Sequence, residues 1–312
     1  MVNNGILLDG YLNIVLDKKV NTILHERRLY MKKIEAAALF MKENSEMFQC
    51  PICEEAFSDM NGNSLSCING HLFDISKKGT LYFLLKGTKN EYDKEMLSSR
   101  FNIATAGLFH PLLDELYLSI AEKENGHTLD VGCGEGSQLD YLRELGLKGQ
   151  KIGFDISKDA IQLAATHFSS AFWCVADLAQ SPFATQQYDT ILNIFSPSNY
   201  KEFDRLLKKG GQVIKVVPEK EYLIELRQLL YRDQEEKQTY SNEVVIAKFK
   251  EHFPSMEIKK IKYSFDLTPS LFADLMKMTP LSWGASPESK EYAMDHPLKK
   301  VTIDVCVLIG QK

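Results

Sequence analysis

Residues 128–136 read Thr-Leu-Asp-Val-Gly-Cys-Gly-Glu-Gly, a short apolar strand running straight into a loop with glycine at 132, 134 and 136. Glycine at these positions lets the chain turn sharply and brings backbone close to a ligand without side-chain clash, and the N-terminus of the next helix then faces that ligand. A G-x-G-x-G loop also occurs in dinucleotide enzymes and in plain tight turns, so its surroundings decide the reading. Asp130 stands before the first glycine, where it would repel a pyrophosphate and attract a cation. Asp155 closes the next strand about twenty residues on, in reach of two ribose hydroxyls or, alternatively, as a helix cap. Asp177 follows the third strand in Val175-Ala-Asp-Leu178, a place for the exocyclic amine of adenine or for an ordinary loop carboxylate. Three carboxylates at three successive strand ends fit a ribonucleoside that carries an amino group and a sulfonium, that is, S-adenosylmethionine.

From 128 onward short apolar strands alternate with helical stretches: 128–131, 151–155, 172–175, 190–195 and 212–217, with helices near 137–145, 158–167, 200–208 and 219–232. Alternation of this kind predicts a parallel sheet. Residues 257–265 and 300–309 are both strand-like around a helical piece at 271–278, which predicts an antiparallel edge pair. The expected fold is α/β, a Rossmann-like class I methyltransferase domain with a mainly parallel seven-stranded sheet and an antiparallel edge. At the fourth strand end, Asn193-Ile-Phe-Ser-Pro197 should sit beside the transferable methyl. It departs from the Asn/Asp-Pro-Pro-Tyr/Phe pattern of exocyclic amino-group methyltransferases, and Pro197 also has the plainer reading of opening a turn into the next helix.

Upstream, Cys50-Pro-Ile-Cys53, thirteen residues, then Cys67-Ile-Asn-Gly-His71 gives two short ligand pairs joined by a turn-rich loop. The spacing permits a tetrahedral Cys₃His zinc site. Four protein ligands leave no open position for an activated water, so Zn²⁺ here is structural and supplies folding energy to a small β-rich unit. The chain therefore divides into residues 1–46, an N-terminal extension with helical spacing over 32–42; 47–86, a zinc-binding domain; 87–111, a connector; and 112–312, the methyltransferase domain. Met31 is a candidate natural start.

Composition bounds the partners. The 312 residues are 44% hydrophobic and 25% charged, as for an ordinary globular protein. A formal net charge of −5 gives no global attraction to nucleic acid. Residues 47–100 hold six Lys/Arg against seven Asp/Glu, so nucleic-acid binding needs a local basic stripe, for which Lys77, Lys78, Lys86, Lys89 and Arg100 are candidates. No apolar run approaches the roughly 18 residues that span a bilayer and no secretory leader is evident, so the expectation is a cytoplasmic protein with no membrane partner.

From Phe48 to about Gly310 the sequence resembles the bacterial large-subunit (23S) ribosomal RNA guanine-N1 methyltransferases. The resemblance is carried by the Cys50/Cys53/Cys67/His71 set with Phe73-Asp74, by Tyr92-Asp93, Arg100, Ala106-Gly107 and Pro111, and by Asp130–Gly136 and Asp155-Ile-Ser-Lys158. Phe195-Ser-Pro197 and Met278-Thr-Pro-Leu-Ser-Trp283 complete it. It implies methyl transfer from S-adenosylmethionine to N1 of one guanine in a 23S ribosomal RNA hairpin near the peptide exit tunnel, by a homodimer whose zinc modules shape the RNA site. The Phe-Ser-Pro turn is similar to that of the subgroup associated with tylosin-type antibiotic resistance. Cofactor contacts implied by the family fall on Phe109, on Gly132, Gly134, Glu135, Gly136, Ser137 and Gln138, and on Tyr222; the family often has Tyr in place of Phe109 and His in place of Tyr222. Asn193 joins the cofactor-side candidates, and Asn193, Ser196, Pro197 and Asp93 are the candidates near the target base, none of them assigned as a catalytic base. Two other readings share parts of this pattern: a small-molecule methyltransferase, and a non-catalytic zinc-dependent RNA-binding protein.

Overall fold

A computed structural model describes residues 31–87, 93–120 and 126–312. The segment 1–30, Lys89 and Tyr92 lie outside the described residues.

Eight strands form one sheet: β4 (Thr80–Tyr82), β5 (Thr128–Val131), β6 (Lys151–Asp155), β7 (Phe172–Val175), β8 (Tyr188–Ile194), β9 (Leu207–Pro218), β10 (Met256–Asp266) and β11 (Lys300–Gln311). Their order is β10-β11-β9-β8-β5-β6-β7-β4. Strands β4 to β9 run parallel, whereas β11 is antiparallel to both β9 and β10. The seven expected strands and the antiparallel edge are thus present. The eighth, β4, is the finding: the apolar run at 81–85 leaves the zinc unit and pairs Leu81 with Cys174 at the far edge of the sheet. The sheet edge thereby passes from β7 to a three-residue strand, and a short edge strand is one way to blunt an exposed edge.

The first half of the chain contributes α1 (Lys33–Glu43), α2 (Lys94–Thr105) and α3 (His110–Ile120). Next along the chain come α4 (Ser137–Glu144), α5 (Lys158–His167), α6 (Tyr200–Leu206) and α7 (Ile224–Leu230), and last α8 (Glu243–His252), α9 (Pro269–Met278) and α10 (Pro287–Asp295). Alternate residues of each central strand point to opposite faces. Leu192 and Ile214 pack with Leu116 of α3, Leu139 of α4, Ile161 of α5 and Phe272 of α9. Leu129, Ile191 and Val213 face the other way, onto Phe203 of α6, Phe249 of α8 and Met41 of α1.

The zinc unit belongs to that second face. Its antiparallel ribbon, β1 (Phe57–Asn61), β2 (Ser64–Cys67) and β3 (Leu72–Asp74), buries Phe57, Leu65 and Phe73 in the same core as the sheet. The connection between β7 and β8 contains no helix, and the zinc unit occupies the uncovered sheet there. Gln49 N–H donates to the Pro182 carbonyl at 2.8 Å, Ala184 N–H to Met47 at 3.0 Å and the Tyr188 hydroxyl to Met47 at 2.8 Å. Phe48 sits among Phe83, Phe172 and Phe183, with ring centroids 5.6 to 6.2 Å away. Helix α1 is fastened to the same assembly by Lys33, whose ammonium donates to the carbonyls of Ala165 and Thr166.

Candidate cofactor and metal sites

The strand order reverses between β5 and β8, so the loops that leave their C-terminal ends diverge and open a crevice, the place where open α/β sheets bind ligands. The glycine loop lines one side. Gly132, Gly134 and Gly136 all have positive φ, at 72°, 57° and 85°. A Cβ on Gly132 would lie 2.7 Å from Ser196 Cβ, and one on Gly136 would lie 2.7 Å from the Trp173 ring and 2.8 Å from Ala164, so the first glycine admits the opposite loop and the third seats α4 against the sheet. The Gly134 N–H donates to Asp155 Oδ2 at 3.0 Å, and the other oxygen of Asp155 accepts from Ser157 N–H at 2.8 Å. The helix-cap alternative for Asp155 is taken up by Ser157, whose hydroxyl accepts from Ala160 N–H.

Asp130 is 1% exposed, and its Oδ2 has no hydrogen-bond partner. An orphaned buried carboxylate oxygen costs free energy unless a donor arrives. Burial, reinforced by Asp155 and Glu135 nearby, pushes its carboxyl up to about 8, with Arg100 pulling the other way. A ligand ammonium would reverse that balance, which is how the amino group of S-adenosylmethionine fits this pocket. Asp155 is raised by burial and partly restored by the N–H groups it accepts. Glu135 is buried, accepting from the Ser137 hydroxyl and lying 3.5 Å from Arg100 Nε. Gln138 is half-buried on the first turn of α4.

Across the crevice, Phe195 holds φ at 54°, a left-handed conformation that costs a non-glycine residue roughly 1–3 kcal/mol. Its ring is held between Phe109 and Tyr222, at 5.4 and 5.5 Å, so the three aromatic residues form one wall. Burial pushes the Tyr222 phenol up to about 12. The strain aims Ser196 back at the glycine loop, where its hydroxyl donates to the Val131 carbonyl at 2.5 Å.

Asn193 is fully buried, and both halves of its amide are engaged. Its nitrogen donates to Ser196 Oγ and to the Pro197 carbonyl, while its oxygen accepts from Ser198 Oγ and from Lys215 Nζ at 2.7 Å. Two donors and two acceptor sites exhaust an amide, so Asn193 shapes the loop and has no group left for a ligand. Lys215, missed in the sequence, is 5% exposed and also donates to the Ser196 carbonyl; burial lowers its ammonium to about 8.

Two expected site residues lie differently. The Asp177 carboxylate turns into its own loop, accepting from Ala179 N–H at 2.8 Å, and the residue lines a cleft of about 500 Å³ with Pro197, Asn199, Lys201, Lys248 and His252. Asp93 is exposed and caps α2, accepting from Met96 N–H at 2.7 Å.

In the zinc unit, one ligand atom from each of Cys50, Cys53, Cys67 and His71 lies within 4.8 Å of the others. Cys53 Sγ to Cys67 Sγ is 3.7 Å, and His71 Nδ1 lies 3.5 Å from Cys50 Sγ and 3.3 Å from Cys67 Sγ. Tetrahedral Zn²⁺ with bonds of about 2.3 Å to sulfur and about 2.0 Å to nitrogen requires edges of about 3.8 and 3.5 Å, and these match. Gly70, with φ at 78°, makes the tight turn that returns His71 to the cysteines.

Comparison with known proteins agrees with both sites. Residues 48–85 match the family model described as RlmA, N-terminal, a zinc ribbon, and residues 122–268 match a methyltransferase domain model. A relative from Bacillus subtilis, named as a putative 23S rRNA (guanine-N(1)-)-methyltransferase, is 40% identical over 275 residues, covering 85% of this chain and 97% of its own. The 23S rRNA (guanine(748)-N(1))-methyltransferase of Streptomyces fradiae is 27% identical over 77% of this chain and 87% of its own. A putative 23S rRNA (guanine-N(1)-)-methyltransferase of Micromonospora griseorubida is 25% identical over 84% of this chain and 96% of its own. With an acidic nucleoside crevice and a tetrahedral Cys₃His cluster on one continuous core, the chain belongs to the zinc-ribbon family of 23S rRNA (guanine-N1)-methyltransferases, with S-adenosylmethionine and zinc as its cofactors.

Proposed function

We propose that this protein transfers the methyl group of S-adenosylmethionine to the ring N1 of a guanine in a 23S ribosomal RNA hairpin, acting as a cytoplasmic homodimer. The observation that carries the reading is the juxtaposition of the orphaned Asp130 crevice with a zinc ribbon built into the same sheet, in a chain 40% identical to a named family member over nearly that relative's whole length.

Guanine N1 bears a proton at neutral pH, so its attack on the sulfonium methyl needs that proton removed or the resulting anion stabilised. The base must leave its stack or be presented in a loop, and lie in line with the methyl–sulfur bond. On this reading Asp130 takes the cofactor's amino group, Asp155 its ribose, and Phe109, Phe195 and Tyr222 wall the reacting end. Ser196 and Pro197 front the crevice where the base arrives, and Asn193 acts through them. Lys201 and Lys248, around the cleft beside Pro197, supply local positive charge for phosphates that the acidic chain as a whole does not.

The test is incubation with labelled S-adenosylmethionine and 23S ribosomal RNA that lacks its modifications, followed by nucleoside analysis. Label in 1-methylguanosine is expected. Label in a small acceptor with none in RNA would make this a small-molecule enzyme, and RNA binding without label would make it a non-catalytic binder.

A further inference from the structure

We propose that Arg100 grips the carboxylate of the cofactor's amino-acid end; the inference rests on the crevice being the S-adenosylmethionine site. Helix α2 carries Arg100 over the middle of the glycine loop. Its Nε is 3.8 Å from where a Cβ on Gly134 would stand and 3.5 Å from Glu135 Oε2. Its charge lowers the pKa values of Asp130 and Asp155, both raised by burial, and also that of Tyr222, so it faces the floor of the crevice and its aromatic wall together.

The guanidinium is under-used where it sits. Its contact with Glu135 is long for a hydrogen bond and uses one nitrogen, Ser137 takes the other oxygen of Glu135, and the side chain is 27% exposed. Among the described residues its two terminal nitrogens donate to nothing. A fork of free N–H groups at the edge of a pocket matches a carboxylate in geometry as well as charge. Of the other buried cations of this region, Lys215 is committed to Asn193 and Ser196, and Arg227 donates to the Tyr222 carbonyl and lies over the Tyr240 ring.

Charge matching points the same way. S-adenosylmethionine brings an ammonium, a sulfonium and one carboxylate. Asp130, Glu135 and Asp155 complement the two cations but would repel the anion, and Arg100 is what allows the ligand's amino-acid end to enter whole.

The experiment compares equilibrium binding of S-adenosylmethionine and decarboxylated S-adenosylmethionine, which differ by that carboxylate alone. Wild type should prefer the intact cofactor by roughly tenfold or more, and Arg100→Met should weaken it by roughly 10- to 100-fold while leaving the decarboxylated ligand within about threefold of wild type. Arg100→Lys, a charge without the fork, should fall between. Equal losses for both ligands, or no loss, would overturn the assignment in favour of Arg100 merely neutralising Glu135. Should Arg100→Met not fold, judged by zinc content and thermal melting, the wild-type preference and Arg100→Lys decide, and a wild type that binds both ligands equally overturns the proposal. A wild type that binds neither ligand contradicts the cofactor site itself.

Discussion

Asp130 shows how one side chain joins stability to function. Its carboxyl, ordinarily near 3.8, is raised to about 8 in the folded chain. Between those values the folded chain holds a proton that the unfolded chain releases, so this group's stabilisation is fully present below about 4 and is lost as pH rises through about 8. Asp130→Asn should therefore melt several degrees higher than wild type at pH 8, differ little at pH 4, and fail to bind S-adenosylhomocysteine; calorimetry and titration at both pH values check this. Equal melting at pH 8 would mean the carboxylate is not held unpaired. The strand-end positions of Asp130 and Asp155 beside the glycine loop were legible from the apolar runs that precede them. Lys215 was legible only in hindsight: Val213-Ile-Lys-Val-Val217 is continuous apolar strand but for one charge, and that charge means something only once the strand is known to be covered on both faces. Asn193 was placed correctly at the strand end, but which way an amide spends its four hydrogen bonds is a tertiary fact. The same holds for Asp177, whose carboxylate closes its own turn.

Among the elements, the zinc ribbon departs most from what its sequence suggests. Ligand spacing identified the metal site, and turn formers identified a small β unit, yet periodicity says nothing about which sheet a three-residue strand will join. Strand β4 pairs with β7 because β7 otherwise presents a bare edge and because Phe83 extends the pairing, its N–H donating to Val175 at 2.8 Å. Metal and sheet are therefore mechanically linked. Chelating zinc should raise amide exchange across 57–83 and in β7, while β8, β9 and β11 keep their protection, as read by hydrogen exchange with mass spectrometry. Loss of protection confined to β1–β3 would show that the ribbon and the sheet edge are independent. Helices α8 and α10 escaped the sequence reading: Glu243–His252 buries only Phe249 and Pro287–Asp295 only Ala293, too little apolar spacing to register.

For the whole molecule, alternation of strands and helices specified a mainly parallel sheet, its strand order is a finding of the structure, and the acceptor rests on the company the sheet keeps. A net charge of −5 means that RNA must be held by local charge. Lys201 and Lys248 flank the cleft next to Pro197. Replacing both by Glu should weaken binding of a 23S hairpin by about tenfold or more and flatten the slope of log affinity against log salt by about one for each phosphate left unneutralised, with cofactor affinity unchanged. Unaltered RNA affinity would move the RNA track elsewhere.

The proposed reaction passes a methyl from S-adenosylmethionine, held in the Asp130 crevice, to guanine N1 in ribosomal RNA. A methyl at N1 blocks Watson–Crick pairing, so reverse transcription on unmodified 23S RNA treated with enzyme and S-adenosylmethionine reports it directly as a stop. Wild type should produce one new stop, one nucleotide before a guanine in a hairpin, and Asp130→Asn should produce none. A wild-type reaction that leaves the transcript free of new stops while methyl groups pass to another acceptor would contradict methylation of guanine N1.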